Sequence, residues 1–424
     1  MLYLILLLLI LIISGIPIVF SLGSSVFVFS FLNNIAIESI IQKMVYGVNS
    51  FIILAVPGFI LAGKIMNVGG ITKRIFKFAK CLVGHIPGGI AHANVLASIL
   101  FAGMSGSAVA DSGGLGAVEI EAMKEDGYDS NFSAAVTAST SIIGPIIPPS
   151  IPAVLFAASA GTSVGRLFIG GIIPGLLLAL SMMMYIYYIS IKRGYGKSKR
   201  ANLKELFDSF KEAFWALLTP VILIGGIIVG IFTPTEASVV AVVYALIISF
   251  FVYKEINIKI LYKTIMESII TTSIVGIIIA FSFGLSYLLT ISQIPQRAAI
   301  LLMGITNNPL IILSILILFF LIIGLFMDPT PAILILTPIV MPIIIKVGIN
   351  PLHFGVIMIL TLMIGLNTPP VGMCVYTVAN LSKSKVEDVM KELVPFFIPT
   401  IIILFLIVVF PKIVTFLPNL LMSN

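Results

Sequence analysis

Long apolar runs alternate with short polar interruptions along the whole chain, and the runs have the length of membrane crossings. They cover about 2–29, 51–66, 131–160, 165–191, 213–231, 237–253, 264–290, 351–381 and 395–417. A helix needs ~20 predominantly apolar residues to span a bilayer, so these runs predict nine crossings. Two further stretches, 86–122 and 309–346, are long enough to enter the membrane twice but are interrupted, by GMSGS at 103–107 and by MDPTP at 327–331. Each is expected to form a re-entrant helical hairpin that adds no net crossing. Two amphipathic stretches, 33–47 and 71–84, read either as interfacial arms or as docking surfaces for another subunit.

Composition supports the same class. With 59% hydrophobic and 10% charged residues and a mean hydropathy of +1.21, the chain is too apolar for an ordinary soluble domain. The expected fold class is an all-α polytopic membrane protein. The uncharged start, from Leu2 to Ile37, has no basic leader and no small-residue cleavage site, and reads as a retained first helix. The net charge of +7 does not call for nucleic acid, because Lys192, Arg193, Lys197, Lys199, Arg200 and Lys204 crowd one loop within 192–212. In the nine-crossing count the basic segments 64–80, 192–204, 254–263 and 383–391 fall on one side, with Arg297 and Lys346 on the other. The positive-inside rule makes the first side cytoplasmic, with the N-terminus in and the C-terminus out. Cys81 and Cys374 stand in different contexts and suggest neither a disulfide nor a thiolate metal site.

The interruptions come in two copies. GPIIPPS at 144–150 follows the first hairpin and GLNTPPV at 365–371 follows the second. Met104 precedes Gly144 by 40 positions and Met327 precedes Gly365 by 38, so both halves run hairpin, then proline-broken helix. Hairpins entering from opposite faces predict an inverted repeat. A proline pair removes amide donors and clashes with the preceding turn, so Pro148–Pro149 and Pro369–Pro370 should break their helices. Broken backbone at membrane depth is tolerated only where it lines a cavity or binds something. Secondary carriers use such breaks to coordinate ions through carbonyls and to face anionic substrates with half-helix N-termini.

Polar side chains at these breaks are the candidate site. Asp111 and Asp328 are intramembrane carboxylates, which by default mark functional positions with a cation as partner; Asp328 is equally placed to cap the helix that follows it. Ser150, Thr330, Asn367 and Thr368 suit a carboxylate or hydroxyl partner, or else satisfy a local carbonyl. Glu236, in TPTEA, reads as a first-turn charge, and Arg166 as a snorkelling residue at the membrane boundary.

FAGMSGSAVADSGGLGAVEIEAM (101–123), GPIIPPSIPAV (144–154), TPTEAS (233–238), GLFMDPTPAILILTPI (324–339), GLNTPPVG (365–372) and VPGFILAG (56–63) together resemble, in order and over nearly the whole chain, the large membrane subunit of tripartite ATP-independent periplasmic (TRAP) transporters. The resemblance implies a Na+-driven elevator. Its transport domain would be 86–160 and 309–394, and its scaffold 1–85, 161–308 and 395–424. It also implies a small four-helix membrane partner, a periplasmic substrate-binding protein that delivers an organic anion, and a place in the bacterial inner membrane. Carried over by position, the Na+ sites fall around Gly103, Ser105, Ser107 and Asp328 and around the break at Asn367 to Pro370, Pro369 included, with substrate near Ser150 and Thr330. The first-hairpin motif is most similar to the subgroup that imports sialic acid, with C4-dicarboxylates and other carboxylates as alternatives.

One enzyme class competes. Gly103-Met104-Ser105-Gly106 matches the G-x-S-G nucleophile motif of rhomboid proteases, which would need a histidine base from His85, His92 or His353. The motif is short, and that reading leaves the second hairpin and both proline pairs unexplained. There is no P-loop to suggest an ATP-driven pump.

Overall fold

A computed structural model describes residues 2–196 and 199–422, so Lys197 of the predicted basic cluster lies outside the described residues. Those residues are helical, with no strand among them. The chain begins with α1 (Leu2–Ile13), α2 (Ile18–Leu32), α3 (Ile37–Val48), α4 (Ala55–Val68) and α5 (Ile71–Val83). The first hairpin is α6 (Gly89–Ser105), then α7 (Ala108–Ala110), a π-helical turn (Asp111–Leu115) and α8 (Gly116–Glu125). Next come the broken pair α9 (Ser130–Ser141) and α10 (Ile151–Ala160), then α11 (Val164–Arg193), α12 (Leu203–Ile228), α13 (Pro234–Ile247), α14 (Ile258–Ile291) and α15 (Ile294–Ile305). The second hairpin is α16 (Pro309–Gly324) and α17 (Pro329–Lys346), and the second broken pair is α18 (Pro351–Leu366) and α19 (Met373–Ser382). Helices α20 (Val386–Val409) and α21 (Lys412–Leu421) end the chain.

The proline and glycine chemistry places every break where the sequence puts it. Both predicted hairpins turn at their polar inserts, and both G-x-x-x-P-P segments separate two half-helices. The two halves are also built alike in detail. The first half-helix of each broken pair packs on both arms of its own hairpin, α9 on α6 and α8, α18 on α16 and α17. A backbone hydrogen bond then joins hairpin tip to helix break in each half: Ile151 N–H to Gly106 O at 3.3 Å, and Val371 N–H to Leu325 O at 3.2 Å. Both Pro148–Pro149 and Pro369–Pro370 are cis.

Around this core lie the long helices. Six elements among the described residues are long and apolar enough to cross a bilayer: α11, α12, α13 with its π-helical extension to Val252, α14, α17 and α20. Exposed Val221, Val239, Ile270 and Phe405 on their outer faces are what lipid contact requires. Helix α14 packs on α2, α3, α4 and α17, whereas α11 and α20 pack on each other and on the hairpin and broken-helix core. α21 packs on α11 and α18.

Several boundaries depart from the sequence reading. The first apolar run is two helices, because Gly15 takes a left-handed φ of 80° and Pro17 follows it. The run at 51–66 begins with a turn, becomes α4, and bends by 69° into α5 at Gly69 and Gly70. α15 was not foreseen, and α20 starts at Val386 and is separated from α21 at Phe410 and Pro411. The basic loop is shorter than 192–212, since α11 runs to Arg193 and α12 starts at Leu203. α14 has 34 residues, about 50 Å at ~1.5 Å per residue, so its basic start projects beyond a hydrocarbon core of ~30 Å.

The four basic segments meet at one end. Arg74 pairs with Glu255 at 3.1 Å, joining segments 64–80 and 254–263, while Lys77 pairs with Glu212 at 2.7 Å and Arg193 with Glu392 at 2.8 Å, the two glutamates lying beyond the ends of segments 192–204 and 383–391. Such exposed pairs contribute only ~0–1 kcal/mol each; they matter here as markers of proximity.

A candidate binding site where four helix breaks meet

Both hairpin tips and both helix breaks open onto one cavity of about 580 Å³, within the ~300–1,000 Å³ usual for small-molecule sites. Ser105, Gly106 and Ser107 line it from the first hairpin, Asp328, Pro329 and Thr330 from the second, Pro145 and Ile151 from the first break, and Leu366 and Met373 from the second. One face of α4 (Gly63, Lys64, Asn67) and one face of α14 (Thr264, Glu267, Thr271, Ile274, Ile278) close the opposite wall.

The first tip is set by Gly106, whose φ of 61° is left-handed and whose absent Cβ leaves room for Pro149 O. Beyond it Ser107 caps α7, accepting from Ala110 N at 3.4 Å. Ser105 Oγ donates to Asp111 Oδ1. Asp111 is 2% exposed, its Oδ2 has no hydrogen-bond partner, and it sits against Gly144, where any Cβ would collide with that oxygen. It opens the π-helical turn, a rare geometry that occurs frequently at functional positions. At the second tip, half-buried Asp328 caps α17 by accepting from Thr330 N at 2.8 Å while also facing the cavity. The two roles weighed from sequence are compatible there.

The remaining predicted residues divide. Gly103 does not line the cavity; it faces α12, where a Cβ would meet Pro220. Ser150 is 1% exposed and stands behind the cavity wall, its hydroxyl donating to Pro145 O and accepting from Ala153 N at 3.1 Å. Thr368 donates to Ile364 O at 2.8 Å, and Pro369 is exposed in the second break. Neither lines the cavity. Asn367 is buried, and its amide donates to Ala138 O at 2.6 Å, tying the second break to α9; its Oδ1 has no partner. For these polar groups the local-carbonyl alternative describes Ser150 and Thr368, while Asn367 bridges the two halves.

Sequence reasoning passed over three charges, of which Glu267 lines the cavity from α14. Lys64 was counted with the cytoplasmic segments but lines the cavity from α4, a lysine inside an apolar helix being the available signal. Glu119, 1% exposed on α8 with Oε1 unpartnered, was hidden in the unremarkable helical sequence EIEAM. Outside the site, Glu236 forms a capping box with Thr233, and Arg166 bonds Asn419 at 2.6 Å.

The protease arrangement does not form. Ser105 donates to a carboxylate, not to an imidazole, and the ring of His353 is engaged with Ile407 O at 2.8 Å.

Comparison with known proteins agrees with the geometry. Residues 5–413 match the family model described as tripartite ATP-independent periplasmic transporter, DctM component. The chain is 42% identical over 408 residues to the sialic acid TRAP transporter large permease protein SiaM of Vibrio cholerae, covering 96% of both chains. It is also 42% identical to the sialic acid TRAP transporter permease protein SiaT of Haemophilus influenzae, where the match covers 96% of this chain but only 66% of that longer protein. The C4-dicarboxylate TRAP transporter large permease protein DctM of Pseudomonas aeruginosa is 37% identical over 384 residues, 91% of this chain and 90% of that one. Among solved structures, the YdaH transporter of Alcanivorax borkumensis, described as having an unusual topology, shares the fold with a TM-score of 0.63 at 12% identity, over 88% and 87% of the two chains. The chain is a transporter permease subunit and not an enzyme, and it belongs to the DctM-component family of tripartite ATP-independent periplasmic transporters.

Proposed function

We propose that this chain, as the large subunit of a bacterial inner-membrane carrier, couples uptake of an organic acid, sialic acid foremost, to an inward Na+ gradient. The observation that carries this reading is the charge of the cavity. Its lining residues include two acidic ones, Asp328 and Glu267, the latter paired with Lys263 at 3.9 Å, and one basic one, Lys64. An organic anion entering alone meets unfavourable charge; an anion entering with cations does not. Neutral and anionic oxygens suited to Na+ surround the tips, and two buried acceptors, Asp111 Oδ2 and Asn367 Oδ1, have no donor among the described residues. Unwound backbone and oxygen ligands are what co-transported Na+ takes in carriers of this architecture.

The motion we propose is an elevator. The hairpins and broken helices form the moving unit, and the cavity lies between them and the α4 and α14 wall. The packing of α11, α20 and α21 on that core favours moving them with it, which shifts the partition drawn from sequence. The basic end is proposed as cytoplasmic. A small membrane subunit and a periplasmic receptor complete the carrier, and the exposed apolar face of α3, including Ile41 and Val45, is available to the former or to lipid.

The test is uptake of labelled sialic acid into proteoliposomes holding this chain with its small subunit and receptor. Accumulation that requires both receptor and inward Na+ gradient supports the reading. Gradient-driven uptake of succinate in place of sialic acid keeps the mechanism and replaces the substrate, the outcome in keeping with the C4-dicarboxylate relative. Uptake of neither acid under a Na+ gradient removes the proposal.

A further inference from the structure

Lys64 is the only basic side chain among the cavity-lining residues. Its Nζ donates to Glu267 O at 2.7 Å and to Thr271 Oγ1 at 2.9 Å. Thr271 Oγ1 in turn donates to the same Glu267 O at 2.9 Å, so the ammonium closes a ring with two polar groups on α14. Both acceptors are neutral. No carboxylate among the described residues forms an ion pair with Lys64, and the side chain of Glu267 is turned toward Lys263 at 3.9 Å. An ammonium has three donors, so one remains uncommitted. A lysine that only snorkels directs its charge to bulk water at a helix end; this one is tied to a neighbouring helix in the wall of a cavity.

We infer that Lys64 is a substrate-recognition residue, whose free N–H receives the acid group of the transported molecule, with Thr271 as its positioning residue. The inference rests on the reading of the cavity as an organic-acid site. It assigns the carboxylate end of the substrate to the α4 and α14 wall, and leaves the hairpin tips to the cations and the rest of the substrate. A charge-assisted hydrogen bond of this kind contributes ~1.5–3 kcal/mol, about ten- to hundredfold in affinity.

The experiment measures binding to the complex of this chain with its small subunit in nanodiscs, in Na+ and without receptor, so that receptor selectivity does not enter. The probes are N-acetylneuraminate and its uncharged methyl ester, or succinate and its dimethyl ester where succinate is the acid bound. Wild type is expected to favour acid over ester by about tenfold or more. Lys64→Met should collapse that preference toward unity while Na+ affinity holds, and Lys64→Arg should retain most of it. Thr271→Val should lie between. A preference unchanged in Lys64→Met overturns the inference; if that variant does not fold, an unchanged preference in Thr271→Val does so. Wild-type complex that binds neither acid instead sinks the reading of the cavity itself.

Discussion

Ser105 Oγ donates its hydrogen bond to Asp111 Oδ1, joining the last residue of one hairpin arm to the first residue of the π-helical turn in the other. Among the described residues it is the sole hydrogen bond to the Asp111 carboxylate from a side chain, and the other oxygen has none. The first tip is thereby closed by a serine that also borders the cavity.

Ser105→Ala leaves a buried carboxylate without its donor, at a cost of about 1–3 kcal/mol. The expected result is a lower melting temperature of the detergent-solubilised protein together with at least a tenfold loss of Na+-driven uptake. Unchanged melting and uptake would show that the contact is idle.

Asp328 separates charge from capping. Asn caps a helix about as well as Asp, whereas Ala at that position costs ~1 kcal/mol. Asp328→Asn is therefore expected to melt like wild type and yet lose Na+-dependent uptake, while Asp328→Ala loses both. Normal Na+ dependence in Asp328→Asn would exclude the carboxylate from cation handling.

Asn367→Leu removes one of two donors to Ala138 O, which keeps its bond from Ser141 Oγ at 2.8 Å. A destabilisation of about 0.5–1.5 kcal/mol is expected, read as a lower denaturant midpoint, because the lost bond ties the second break to α9. A neutral effect would mean that the two halves are held by apolar packing alone.

Gly324 and Gly365 meet backbone to backbone: a Cβ on Gly324 would lie 3.0 Å from Gly365 Cα and 3.3 Å from Leu362 O. Gly324→Ala should overpack this contact and destabilise by about 1–3 kcal/mol, lowering the yield of folded protein on size-exclusion chromatography. Gly276→Ala, where nothing lies within 4 Å, serves as the matched control and should have little effect.

The breaks were legible in the sequence because they are local chemistry. GMSGS, GPIIPPS, MDPTP and GLNTPP each carry glycine or proline in the few residues that must leave the helix, and each does so in the structure. Helix ends were less legible, since hydropathy reports membrane thickness and not helix length. α12 and α20 begin in polar sequence at Leu203 and Val386, and the uninterrupted apolarity on either side of Gly15 and Pro17 hid a chain break. The site was legible as a region but not atom by atom. A serine beside a proline pair has a local carbonyl and a ligand equally in reach, and at Ser150 the carbonyl of Pro145 has it. The cavity position of Lys64 was not legible because a charge at a helix position does not say which neighbour its face will meet. That is decided by α14, some 200 residues away.

The two-walled construction of the cavity also bears on pharmacology. One wall is hairpin tip and helix break, the other is α4 and α14, and no single helix supplies both. Any molecule that grips Thr330 on one side and Ile274 on the other acts as a cross-brace between the walls, whatever its own chemistry. Inhibitor design against this carrier then becomes a matter of release: a compound that can let go of one wall is cargo, and one that keeps its grip on both is a lock.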